Sequence, residues 1–162
     1  MKKNGITLTA IFIMILGISF VGQAADQEVL EKIDVERKYS REQIKELMAL
    51  NLKLNGEQGK TFWPVYESYQ DDLKQINDRV LNLIVEYADA YRGDGLQDDQ
   101  ALKLVKRYLD AEEDKSELKK KYFKKIKKVL PGKKMAIFYQ LDNRIDAIIK
   151  VGHAAQIPLI EP

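Results

Sequence analysis

Eight lysines fall within fourteen consecutive positions: Lys115, Lys119, Lys120, Lys121, Lys124, Lys125, Lys127 and Lys128. Leu118, Tyr122, Phe123 and Ile126 are interleaved with them, and Glu117 is the one acid in the run. A cationic, partly apolar surface of this composition suits loose capture of acidic or unfolded polypeptide. Long-range attraction speeds the encounter, and scattered apolar contacts lengthen it without demanding a particular sequence. The candidate contacts are Lys119, Lys120, Tyr122, Phe123, Lys124, Ile126 and Lys127. An anionic lipid surface also attracts such a stretch. Lysines equally suit a helix C-terminus and keep an exposed face soluble, a plain structural use.

Other chemistry is poorly supplied. The acidic pairs Asp71-Asp72, Asp98-Asp99 and Glu112-Glu113 are adjacent in sequence. Neighbours on a helix diverge by about 100°, so they do not form facing acid and base. Ser40, Ser68 and Ser116 lie in polar stretches with no histidine nearby, and no nucleophile, base and oxyanion site assembles. His153 is the single histidine, cysteine is absent, and Met48 and Met135 are the methionines beyond the N-terminal segment. A nickel, copper, cobalt or zinc site draws on several such ligands, so a metal sensor is disfavoured. A calcium loop counted from Asp89 has Asp94 where Gly is needed and Gln100 where Glu is needed. We therefore expect no enzyme activity and no cofactor.

The elements that hold these residues are helical. Phe62, Tyr66, Tyr69, Leu73, Ile76, Val80, Leu83, Tyr87 and Ala90 recur at alternating spacings of four and three. That spacing predicts one long amphipathic helix with a coiled-coil-like seam, ended by the glycines of Arg92-Gly93-Asp94-Gly95. Pro64 removes a hydrogen bond and predicts a kink or a late start. A second long helix is expected over residues 98–129, with one apolar stripe of Leu102, Val105 and Leu109 and another of Leu118, Tyr122, Phe123, Ile126 and Val129. Residues 110–117 between them are polar on nearly every face, which predicts a wet middle out of contact with a core. Pro131-Gly132 ends that helix. A last one follows with Met135, Phe138, Leu141, Ile145, Ile148 and Ile149 inward. Upstream, Tyr39-Ser40-Arg41-Glu42-Gln43-Ile44 reads as a capped helix start, leading into an apolar face of Ile44, Leu47, Met48 and Leu50. Residues 25–39 are an arm or a short helix. No strand pattern competes, so the fold class is all-α: an extended bundle of about four helices in one domain over residues 40–155, with an irregular tail over 156–162.

Lys2 and Lys3 precede an uncharged, mostly apolar run over residues 6–21, followed by Gly22-Gln23-Ala24. This is the pattern of a secretory signal peptide cut after Ala24, and it places the mature chain in a bacterial periplasm. As a helix the run would reach about 24 Å, short of a hydrocarbon core of roughly 30 Å. The whole chain has 27 basic and 25 acidic side chains, and removing Lys2 and Lys3 leaves 25 of each. Neutrality argues against a nucleic-acid partner.

Leu54-Asn55-Gly56-Glu57-Gln58 combines a capping Asn, an acid at the positive helix end and a Gln placed for a reciprocal bond. Leu96-Gln97-Asp98-Asp99-Gln100 repeats the Leu and Gln, and Leu130 stands at the equivalent place before the last helix. With the signal peptide and the cysteine-free helical body, this resembles the periplasmic LTxxQ family, which includes the Spy/CpxP-like envelope-stress chaperones and metal-responsive relatives. Leu54, Asn55 and Gln58 match the motif with Asn in place of Thr, Leu96, Gln100 and Leu130 match in part, and Pro131 and Lys134 depart from it. The resemblance covers about residues 40–150. It implies a thin, curved homodimer that binds unfolded or stress-exposed envelope proteins without nucleotide. A regulatory or scaffold module docking one envelope partner is the alternative. Sequencing the N-terminus of the exported chain is expected to begin at Ala25; an intact Met1 would mean an anchored protein instead.

Overall fold

The computed structural model describes residues 27–93 and 95–157, and the side chains among these except 27–39, 153, 155 and 156. The signal segment and most of the expected tail lie outside them, as does the side chain of His153. Four helices make up the described residues, with no strand among them: α1, Gln27–Leu52; α2, Gly56–Arg92; α3, Asp98–Ile126; and α4, Gly132–Gln156. They group into two compact units, one holding α1 and Ala136–Gln156, the other Leu54–Met135.

In the first unit α1 runs unbroken through Tyr39 and Ser40. Ser40 is therefore an interior residue rather than a cap, which corrects the expected helix start. The preceding residues are mostly good helix formers, and once they are helical the amide groups after Ser40 bond to their carbonyls and need no cap. Leu47, Met48 and Leu52 are buried on one stripe, while Leu50 faces outward. The helix ends at Lys53, whose positive φ of 44° turns the chain as its N–H bonds the Ala49 carbonyl at 3.1 Å. From α4, Phe138, Leu141 and Ile145 are buried with the helical spacing expected of them.

In the second unit α2 starts on a reciprocal cap. The Gln58 N–H donates to Asn55 Oδ1 at 2.8 Å, and the Asn55 N–H donates to Gln58 Oε1 at 3.4 Å. With its first amides satisfied, the helix begins at Gly56 and carries Pro64 inside it, so no late start occurs. Its 37 residues reach about 55 Å. Phe62, Tyr66, Tyr69, Ile76 and Leu83 are buried along the expected seam. The helix stops where Gly93 closes back on the Asp89 carbonyl at 3.1 Å, and Gly95, at φ +87°, makes a turn that a side chain would strain.

The helix α3 lies antiparallel to α2, as three cross-helix ion pairs show: Glu86 with Arg107 at 2.6 Å, Arg79 with Asp114 at 2.6 Å, and Asp72 with Lys121 at 3.1 Å. The inward face of α3 is Leu104, Ala111, Leu118, Tyr122 and Ile126. This overturns the expected first stripe: Leu102, Val105 and Leu109 are 69, 57 and 60% exposed. Leu104 lies about 200° around the helix from Leu102, so a choice between them reverses the face. The expected wet middle is also corrected, because Ala111, within the polar stretch, is only 2% exposed. One methyl group provides little hydrophobicity but lets the backbones approach closely. Leu104 and Leu118, seven residues to either side, supply the burial, on the order of 1.5–3 kcal/mol each.

This packing orders two substitutions against sequence hydrophobicity. Ala111→Leu should overfill the seam and cost about 1–3 kcal/mol. Leu109→Ala should stay within about 0.5 kcal/mol. Urea unfolding followed by circular dichroism measures both, and the reverse order would put Leu109 inside.

Candidate interaction surfaces

The helix starts singled out by sequence come together in part. Leu54 is half-buried and Asn55 exposed, while Gln58 accepts a 2.8 Å hydrogen bond from Lys134 Nζ. Lys134 occupies the place in α4 that Gln58 occupies in α2, so the departure from the repeated motif makes a link between the two starts. Leu130 is buried beside that turn. Leu96 is half-buried at the other end of the hairpin, where the exposed Gln100 side chain accepts from the Gln97 N–H at 3.4 Å. These residues are structural: each satisfies or shields backbone at a helix end.

The basic stretch divides between two faces. Tyr122 and Ile126 are buried, so they underlie the surface and do not belong to it. Phe123 is 45% exposed; Lys120, Lys124 and Lys127 are exposed and Lys119 half-exposed. Lys120 bonds Glu117 at 2.8 Å, and Lys121 reaches across to Asp72. The separation follows from the helix, because the four apolar residues of this stretch do not share one azimuth.

Asp72 is the centre of the best-organised polar cluster. Its Oδ2 accepts from Lys121 Nζ at 3.1 Å and from the Tyr122 hydroxyl at 2.8 Å. The Lys125 ammonium lies 4.4 Å from the centre of the Tyr122 ring, and the Tyr69 ring lies 5.3 Å from it on centroids. The hydrogen bonds from Lys121 and Tyr122 hold the Asp72 carboxyl below its ordinary range. Burial, helped by the carboxylate of Asp72, pushes the Tyr122 phenol up to about 12. The sequence shows Asp72 only as one of an adjacent acidic pair, not as the partner of Lys121 and Tyr122. Its signal was available as a charge on α2 seven residues before Arg79.

A different surface appears where the expected core stripe turned outward. Leu102, Val105, Tyr108 and Leu109 are all exposed and lie within about 120° around α3. Lys103, Lys106 and Asp110 flank them, with Lys106 and Asp110 paired at 2.7 Å. Phe123 continues this azimuth eighteen residues further on, about 27 Å along the helix. Among the described residues no group of three His, Cys, Asp or Glu is placed to hold a metal ion. Compared with family models, curated proteins and solved structures, the chain gives no match.

The tyrosine cluster has a signed pH dependence. Folding keeps the Tyr122 phenol protonated above its ordinary value of 10.0, with a folded value of about 12. Its stabilisation is whole below the ordinary value and is lost as pH rises through the folded one. In an alkaline tyrosinate titration, Tyr122→Phe should remove one late-ionising component. An unchanged profile would mean that the Tyr122 phenol is not shifted.

Proposed function

We propose that this chain is an exported, non-catalytic protein that holds unfolded or stress-exposed envelope proteins without nucleotide. It works in the periplasm as a thin, curved homodimer whose long helices pair in coiled-coil fashion. The observation that supports this reading is the outward face of α3, where Leu102, Val105, Tyr108 and Leu109 stand exposed among charges. None of the four is required by the seam with α2. Dispersed apolar contacts in a charged setting bind many sequences weakly, as a holding protein must, and a strip of this kind is uncommon on a surface without a binding role. The resemblance of the helix starts at Asn55 and Gln58 to the LTxxQ motif supports the same reading, and the N-terminal export pattern gives it a compartment.

The i, i+3, i+7 spacing of Leu102, Val105 and Leu109 also favours a second reading, a regulatory or scaffold module that presents one helix face to one dedicated envelope partner. Client competition separates the two. Residues 25–162 should suppress light scattering by several unrelated aggregating proteins at near-stoichiometric ratios without ATP. The triple change Leu102→Ser, Val105→Ser, Leu109→Ser should weaken suppression at least about tenfold while leaving helicity unchanged, the strip lying outside the core. Failure of a folded sample to suppress any of them would sink the holding reading and favour the dedicated partner.

A further inference from the structure

From Leu118 to Leu141 the chain carries nine lysines and no acid. The fold gathers the densest part of this segment at one end of the α2–α3 hairpin, where α3 turns into α4. Lys124, Lys127, Lys128 and Lys133 are exposed there and make no ion pair among the described residues. By contrast, Lys74, Lys106, Lys120 and Lys121 each have a carboxylate within 3.1 Å.

The turn that presents these cations is fixed. The amides of Lys128, Val129 and Leu130 donate back to the carbonyls of Lys125 and Ile126 at 2.9–3.1 Å, and the buried Ile126 and Leu130 pin it from below. Exposed Phe123 and Pro131 stand among the ammonium groups.

We propose that this turn docks on an anionic phospholipid bilayer. A plane of headgroups suits an unpaired cationic turn, since each lysine gains from the surface potential without a specific acceptor. Phe123 is placed to enter the interfacial layer beside Lys124 and Lys127, and the lysine stems can lie along it. A nucleic-acid site would combine such charge with stacking platforms or a groove tracking the backbone, and this turn offers one exposed aromatic ring, Phe123. No helix among the described residues is long and apolar enough to cross a membrane, so the contact made by these helices is peripheral. The proposal uses the opposite end of α3 from the strip that supports the holding reading, and it reassigns Phe123, Lys124 and Lys127 from client contact to a lipid surface.

The test is co-sedimentation of the chain, as cells produce it, with vesicles of equal parts phosphatidylglycerol and phosphatidylcholine, against vesicles of phosphatidylcholine alone. The expected result is preferential binding to the anionic vesicles, reversed by high salt. Changing Lys124, Lys127, Lys128 and Lys133 to Gln should reduce that preference about a hundredfold or more. A control with Lys45, Lys74, Lys103 and Lys106 changed to Gln alters net charge equally and should retain most of it. Circular dichroism checks that both variants stay helical. Equal loss in the two variants, no preference for anionic vesicles, or capture by duplex DNA in place of vesicles would each overturn the proposal.

Discussion

The arrangement of α2 and α3 depends on three ion pairs that alternate in sign. Along α2, Asp72, Arg79 and Glu86 are seven residues apart; along α3, Lys121, Asp114 and Arg107 answer them at the same interval. The apolar seam also repeats every seven residues, so a slip of one repeat would leave it in phase and cost only overlap at the ends. The charges are not indifferent to that slip. Moved by seven residues one way, Asp72 faces Asp114 and Arg79 faces Arg107; moved the other way, Arg79 faces Lys121 and Glu86 faces Asp114. A half-exposed ion pair stabilises little on its own. Its effect here is to make the wrong registers repulsive while the right one is attractive, and the short connection from Arg92 to Asp98 excludes longer slips.

With the register set, the choice of small and large side chains along the seam explains the rest of the second unit. Ala111 sits midway, where a bulky residue would force the backbones apart and strain the pairs on either side. Towards the far end the seam widens into aromatic packing: Phe62 and Tyr66 have ring centroids 5.7 Å apart, and Tyr69 and Tyr122 5.3 Å. That end is also where Asp72 accepts the Tyr122 hydroxyl, so the last rung of the ladder is the most strongly hydrogen-bonded. The basic turn is built directly upon it, because Ile126 and Leu130 continue the same buried face.

Much of this could be read in the sequence, with errors that have physical causes. The all-α class and the seam of α2 followed from nine apolar residues at coiled-coil spacing, and the start of α2 from one Asn and one Gln. The inward face of α3 differs from the expected one because the closely spaced Leu102, Val105 and Leu109 point away from the partner helix. Hydrophobic periodicity reports that a face is apolar, without reporting which neighbour covers it. The inward face of α3 is marked instead by Leu104, Ala111 and Leu118 at seven-residue intervals and by charges that complement those of α2. The charge complementarity is invisible when one helix is read alone, and the spacing of Leu104, Ala111 and Leu118 is masked by the larger side chains on the opposite face. Ser40 failed for a related reason: a capping motif names a helix start only if the residues before it are not helical. Gln58 and Lys134 lie 76 positions apart, and no local pattern joins them.

The outward face of α3 remains as the feature that packing within the hairpin does not require. Replacing Leu102, Val105 or Leu109 with a polar residue would remove nothing from the seam and would increase solubility, so folding alone gives no reason to keep three aliphatic side chains there. A need for contact with something outside the hairpin does give a reason. The unpaired cationic turn begins near the end of the same helix, with Lys124 on it and Phe123 five turns beyond Val105 at the same azimuth. The two surfaces differ in physics: the strip gains by excluding water, largely independent of salt, whereas the turn gains from a field that salt screens. In the proposed reading, attraction at the basic turn would bring the chain to a charged surface while the apolar strip stays accessible to polypeptide. A single mixed patch would put the two proposed kinds of partner in competition, and the length of α3 between strip and turn would keep them apart.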